Sequence, residues 1–170
     1  MSDKLSGQRL QAWQKLQAVT EQLRRETGRM LSDEAGLSEA EFTVLAHLAA
    51  TPHGVRSVTC AREMGWDTSR LSHQLRRLEQ RGYIARHTGS DPGDGRASVV
   101  ALTTEGRRAY KHAVEPHLQA AAHWFGEALT DAQVDALYDA LTAIEIHVER
   151  RIAAIDGDRT DQNDNEKERQ

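Results

Sequence analysis

The chain has 170 residues, 38% of them hydrophobic and 28% charged, with a formal net charge of -4 and one cysteine. That length admits one domain with a real core, or one domain with an oligomerising appendage, and a lone cysteine excludes an internal disulfide framework and fits a reducing compartment. With a mean hydropathy of -0.67, no apolar run long enough to span a bilayer and no signal-like apolar core in MSDKLSGQRLQAWQKLQ, the expectation is a cytoplasmic protein with no membrane partner.

In chain order, apolar groups at Leu10, Trp13, Leu16, Val19, Leu23, Thr27 and Met30 recur in steps of three and four, which predicts a long helix from Leu5 to Leu31. Ser38-Glu39-Ala40-Glu41 reads as a capping box. The helix it starts passes through Phe42, Leu45 and Leu48 and stops at Thr51-Pro52. Ser57 is the expected cap of a short helix ending at Gly65. Asp67 or Thr68 should cap the next, which runs to about Arg81 and closes at Gly82. Short strands are expected over Tyr83–His87 and Ala97–Leu102, joined by a Gly/Pro-rich loop too long for a two-residue hairpin.

Thr103 then caps a long helix to about Leu129, which Pro116 should bend. Thr130 to Gln133 is a second capping box. The helix beyond it carries Val134, Leu137, Leu141, Ile144, Val148, Ile152 and Ile155 close to a heptad seam. From Asp156 the sequence is polar, and disorder is expected.

Charge is unevenly placed. Between Arg62 and Lys111 there are ten Lys/Arg against six Asp/Glu, whereas the remainder holds twelve against twenty. A basic island in an acidic chain is the footprint of one DNA-binding face. Within it, Leu71, Leu75 and Leu78 fall on one side of the predicted helix. Opposite them lie Ser69, His73, Arg76 and Gln80, flanked by Arg70 and Arg77. Ser69, Arg70 and His73 sit near the N-terminus, the end of a recognition helix that enters the major groove first. An arginine there can bond guanine O6 and N7 bidentately, while Arg76 and Arg77, further along, suit phosphate. Arg96 projects from the Gly-rich loop with Asp94 two residues before it, placed to orient the guanidinium for a narrow minor groove. The residues expected to contact DNA are Thr68, Ser69, Arg70, Ser72, His73, Arg76 and Arg77 from the helix, with Asp94 and Arg96 from the loop. The bland alternative is a solvated helix face beside an ordinary surface turn.

These residues resemble the MarR family of transcriptional regulators. Leu37-Ser38-Glu39-Ala40-Glu41-Phe42-Thr43-Val44-Leu45 is similar to the family's second helix. Ser69-Arg70-Leu71-Ser72, through Arg77-Leu78-Glu79, to Arg81-Gly82-Tyr83-Ile84 is similar to its recognition helix and first wing strand. Asp94-Gly95-Arg96 ahead of Leu102-Thr103 and Gly106 is similar to its wing signature, and Pro116-His117 to a feature of some members. Two departures stand out: Cys60 replaces the usual leucine of the third helix, and the wing has an extra Pro-Gly turn.

The resemblance implies a mainly α fold with a small β-wing: a winged helix-turn-helix with long N- and C-terminal dimerisation helices. It divides the chain into a dimerisation helix over 5–36, a DNA-binding domain over 37–103, dimerisation helices over 104–155 and a disordered tail over 156–170. It implies a homodimer, with Leu10, Val134, Leu137, Leu141, Ile144 and Val148 at the interface. It also implies a repressor on a palindromic operator of double-stranded DNA, and a small-molecule effector pocket to which Trp13, Trp66 and His117 are assigned; plain core packing and dimer contact are the alternative for those three.

No cofactor and no metal is expected. Cys60 on the inward side of a short helix reads as a small buried hydrophobe rather than a redox switch. His112, His117 and His123 are spread around their helix by steps of five and six, which does not suit zinc. A redox- or metal-sensing regulator of the same fold, and a helical interaction module without DNA binding, remain as alternatives. An enzyme is disfavoured, since no nucleophile sits near a base at a recognisable spacing.

Overall fold

The long first helix is present as α1, Gly7–Ala35, in a computed structural model that describes residue 5, residues 7–88 and residues 98–167. Only its C-terminal half is covered: Leu31 is fully buried, whereas Leu10, Trp13 and Val19 are exposed. After α1 come α2 (Glu39–Ala49), β1 (Val55–Arg56), α3 (Ser57–Glu63), α4 (Thr68–Gln80), β2 (Ile84–Thr88) and β3 (Ser98–Leu102). Helix α5 (Thr104–Trp124), a 3-10 turn over Gly126–Ala128 and α6 (Asp131–Lys167) complete the chain. The result is a mainly helical winged-helix fold with a small antiparallel sheet, as the sequence predicts.

The capping boxes decide where helices start. Ser38 Oγ accepts from the Glu41 amide, and the Glu41 carboxylate accepts from the Ser38 amide, so α2 begins with both reciprocal bonds. Thr103 Oγ1 accepts from the Gly106 amide at 3.0 Å and caps α5. At Thr130 one half of the expected box is made, with Gln133 Oε1 accepting from the Thr130 amide at 3.0 Å. Ser57 departs from expectation, and Asp67 takes the expected cap position without the expected side-chain bond. Helix α3 starts one residue early, so Arg56 is the N-cap and Ser57 lies inside the first turn. Asp67 is the N-cap of α4, with no capping bond from its side chain.

Strand β1 is the element missed by sequence periodicity, because two residues carry no period. It forms by pairing: Val55 faces Val100 and Arg56 faces Val99, which gives an antiparallel sheet in the order β1-β3-β2. Ile84 pairs with Leu102 at the other side, and Thr88 with Ser98 at the open end. The chain's core gathers beneath this sheet. Val44, Leu45 and Leu48 of α2, Leu71, Leu75 and Leu78 of α4, and Ile84, Val100 and Leu102 of the strands are all buried in one cluster. Burying a leucine of this kind contributes roughly 1.5–3 kcal/mol.

Helix α5 runs through the buried Pro116 and packs on α1 and α2. It stops at Trp124, ahead of Gly126, whose backbone freedom disfavours further helix. The chain divides between Gly126 and Glu127 into two units. In the second, Val134, Tyr138, Leu141, Ile144, Val148, Ile152 and Ile155 are all exposed, and Leu137 is half-buried. Helix α6 also continues to Lys167, beyond the point at which a disordered tail is expected. A helix already nucleated gains one backbone hydrogen bond per added residue, so it needs no apolar face to continue.

Candidate nucleic-acid interface

Helix α4 sorts its residues by period alone. Leu71, Leu75 and Leu78, at i, i+4 and i+7, are buried to 1% or less. Thr68, Ser69, Arg70, Ser72, His73, Arg76 and Arg77 are exposed. The leucines fix the helix to the lobe, which leaves hydroxyl, imidazole and guanidinium groups facing outward. That donor-rich face has the chemistry to bond base edges and phosphates.

The end of α4 is fixed as firmly as its face. The Gly82 amide donates to Glu79 O and the Tyr83 amide to Leu78 O, each at 2.9 Å, which is the bonding of a Schellman termination. Gly82 sits at φ +71°, a left-handed conformation that a side chain would resist. From there the chain enters β2 directly. Thr103, at the exit of β3, ties the two ends of the hairpin: its amide donates to Tyr83 O at 3.0 Å and its hydroxyl to Gly82 O at 2.7 Å. Any Cβ at position 106 would collide with the Tyr83 carbonyl, so the Leu-Thr-x-x-Gly signature has a steric reason. Arg86 of β2 reaches back to Glu79 of α4 at 3.2 Å.

A buried carboxylate holds the same helix from the other side. Glu41 is 1% exposed. One of its oxygens accepts from the Ser38 amide and hydroxyl, both at 2.9 Å, and the other accepts from Arg81 Nη1 at 3.2 Å. Arg77 Nε lies 3.7 Å from that second oxygen. Arg81 Nη2 also donates to Gly36 O at 3.0 Å and to the Tyr83 hydroxyl at 3.2 Å. Burial alone would push the Glu41 carboxyl up. The Ser38 amide and hydroxyl and the Arg81 guanidinium outweigh it and hold the group below the ordinary carboxylate value. This cluster joins the end of α1, the start of α2 and the end of α4. The Ser38–Glu41 spacing announces Glu41 as a capping residue, but no local pattern announces its partner forty positions away.

The loop residues Asp94 and Arg96 lie outside the described residues. The three residues assigned to an effector pocket each meet different neighbours. Trp13 is 53% exposed on α1 and lines a shallow cleft with Leu16 and Thr20, among others. Trp66 lies half-buried at the α3–α4 turn under the Arg70 guanidinium, whose Cζ is 4.0 Å from the ring centroid. His117 stacks on Phe42 at 4.4 Å, and Phe42 stacks in turn on Tyr110. Burial lowers the His117 pKa against the opposing pull of Glu39, and its Nδ1 has no hydrogen-bond partner among the described residues. A second small cleft, of about 190 Å³, is bordered by Val19, Gln22, Leu23, Glu26 and Trp124.

Cys60 is buried, with its Sγ 3.6 Å from Met64 Sδ. Burial, with Glu63 adding to it, pushes the thiol up to about 11, so it is protonated at neutral pH and poorly nucleophilic. Among the described residues no three His, Cys, Asp or Glu groups are placed to hold a metal ion. No helix among them is long and apolar enough to cross a membrane.

Known proteins share both the sequence pattern and the architecture. Residues 35–97 match the MarR family model. An HTH-type transcriptional regulator of Bacillus cereus is 25% identical over 139 residues, which cover 82% of this chain and 90% of the relative. A MarR family regulator from Streptomyces coelicolor, solved in complex with DNA, superposes with a TM-score of 0.77 at 25% identity, covering 85% of this chain and 90% of that one. CouR from Rhodococcus jostii RHA1, solved bound to p-coumaroyl-CoA, gives a TM-score of 0.66 at 29% identity, over 84% of this chain and 95% of its own.

Proposed function

We propose that this chain, whose residues 35–97 match the MarR family model, is a homodimeric repressor that reads a palindromic operator and is released by a small ligand. The observation that carries the reading is α4, with three buried leucines beneath an exposed face of seven polar or cationic residues. The DNA complex of the Streptomyces coelicolor relative supports it. In this reading Ser69, Arg70 and His73 contact bases, Thr68, Ser72, Arg76 and Arg77 contact the surrounding backbone, and Asp94 steers Arg96 into the minor groove. The protein's role is binding rather than catalysis, and it acts in the cytoplasm.

The dimer is assigned to Leu10 of α1 and to Val134, Leu137, Leu141, Ile144 and Val148 of α6. Two copies of α4 then address successive major grooves about one duplex turn apart. The effector works by favouring a lobe spacing that misses those grooves, a shift of population rather than a blocked surface. The ligand-bound CouR relative supports a small-molecule effector. His117, with its unpartnered Nδ1 beside Phe42 and Tyr110, is the residue assigned to meet the ligand's polar group.

The test is a gel shift on the region upstream of the protein's own gene. A discrete complex that weakens steeply between low and moderate salt is expected, because released counterions drive the binding. No shift at low salt would overturn the reading.

A further inference from the structure

We infer that Trp66 is a positioning residue for sequence readout, its indole serving as the platform that aims the Arg70 guanidinium at a base edge. The inference rests on the DNA-binding reading above and adds to it a residue that the exposed face of α4 does not include.

The platform is fixed before any DNA arrives. Trp66 is half-buried and packs against the core of the lobe. Its backbone is held by the termination of α3, where the Gly65 amide donates to Arg62 O at 3.1 Å and the Trp66 amide to Ala61 O at 2.9 Å. Two residues later α4 begins, and its first turn brings Arg70 over the ring, with Cζ 4.0 Å from the centroid. That distance is well within the reach of a cation–π contact, for which tryptophan is the best partner.

The geometry leaves the arginine free to read. Stacking uses the flat face of the guanidinium, while its N–H donors radiate in the plane from the edge. A stacked arginine therefore keeps the paired donors that match guanine O6 and N7. It also surrenders less rotamer freedom on binding, since the side chain is already held in one direction. Arg77 differs: it is drawn back towards the Glu41 carboxylate at 3.7 Å, a tether that suits a backbone contact better than base selection. Trp66 thus prepares the discriminating arginine, and its ring is engaged on α4 rather than in an effector pocket.

The experiment selects a randomised duplex library on the wild-type protein, then measures the base preference at each position for Trp66→Phe, Trp66→Leu, Arg70→Ala and the Trp66→Leu/Arg70→Ala pair. Arg70→Ala should erase preference at one base pair per half-site by about tenfold or more. Trp66→Leu keeps an apolar group of the core but lacks the ring, and should lose about fivefold at that same base pair. Trp66→Phe should stay within about twofold of wild type, and the double variant should be no worse than Arg70→Ala. A Trp66→Leu protein with wild-type preference, or with equal losses at every position, would overturn the platform while leaving the DNA reading intact. A wild-type protein without any base preference would instead sink the DNA reading, and this inference with it. Should Trp66→Leu fail to fold, Trp66 emission is followed in a Trp13→Phe/Trp124→Phe background. Arg70→Ala should change that emission, and an unchanged spectrum contradicts the stacking.

Discussion

Helices α4 and α6 are both amphipathic in sequence, yet their apolar faces meet different fates within the chain. In α4, Leu71, Leu75 and Leu78 vanish into the core, each at 1% exposure or less. In α6, Ile144 and Ile152 remain 49% and 54% exposed, with Leu141 and Val148 close behind. The first helix is satisfied by its own lobe. A run of exposed aliphatic groups on one long helix is what a monomer rarely keeps uncovered. The contrast separates a helix that its own lobe completes from one whose apolar seam stays uncovered within the chain, the face that the proposed dimer would bury.

The largest effect is expected from spoiling the α6 seam. Leu141→Glu should convert a dimer to single chains in sedimentation, with loss of tight operator binding, because each head then binds without its twin. An unchanged mass would remove α6 from the interface. Next in size is Leu75→Ala, which should cost about 2–5 kcal/mol in urea unfolding through the cavity it leaves. Its effect should not depend on protein concentration, whereas that of any seam variant should, by mass action.

A smaller effect tests what holds α4 from behind. Glu41→Gln leaves Arg81 without its charged partner and should cost roughly 2–3 kcal/mol. The pH dependence has a definite sign. The native Glu41 pKa lies below its ordinary value of 4.5, so the unfolded chain binds the extra proton. Its contribution is complete above pH 4.5 and is lost as pH falls through the lower native value. Glu41→Gln should therefore flatten the acid limb of a stability profile and leave the neutral limb parallel to wild type.

Much of this lobe is legible in the sequence because its determinants are local. The α4 leucines repeat at helical spacing, Ser38-Glu41 and Thr103 carry their caps with them, and Gly82 marks an end that only a left-handed residue can make. What escapes is set by distant partners. Val55-Arg56 is a strand only because Val99-Val100 lies beside it. Glu41 and Arg81 meet across forty positions, and no period on either helix announces the pair. The contact of Trp66 with Arg70 is local yet equally unannounced, since it depends on how tightly α3 turns into α4. Ser57 fails as a cap because α3 begins one residue earlier than its composition implies. The α6 seam is visible as a pattern, but a pattern does not say which chain covers it.

The most direct test of the central claim is the mass of the complex formed with a palindromic duplex selected on the wild-type protein, measured by sedimentation at low salt. Two chains per duplex are expected, with loss of that species when Leu141→Glu splits the pair. A single chain bound per duplex, or a pair that binds equally well with Leu141→Glu, would contradict it.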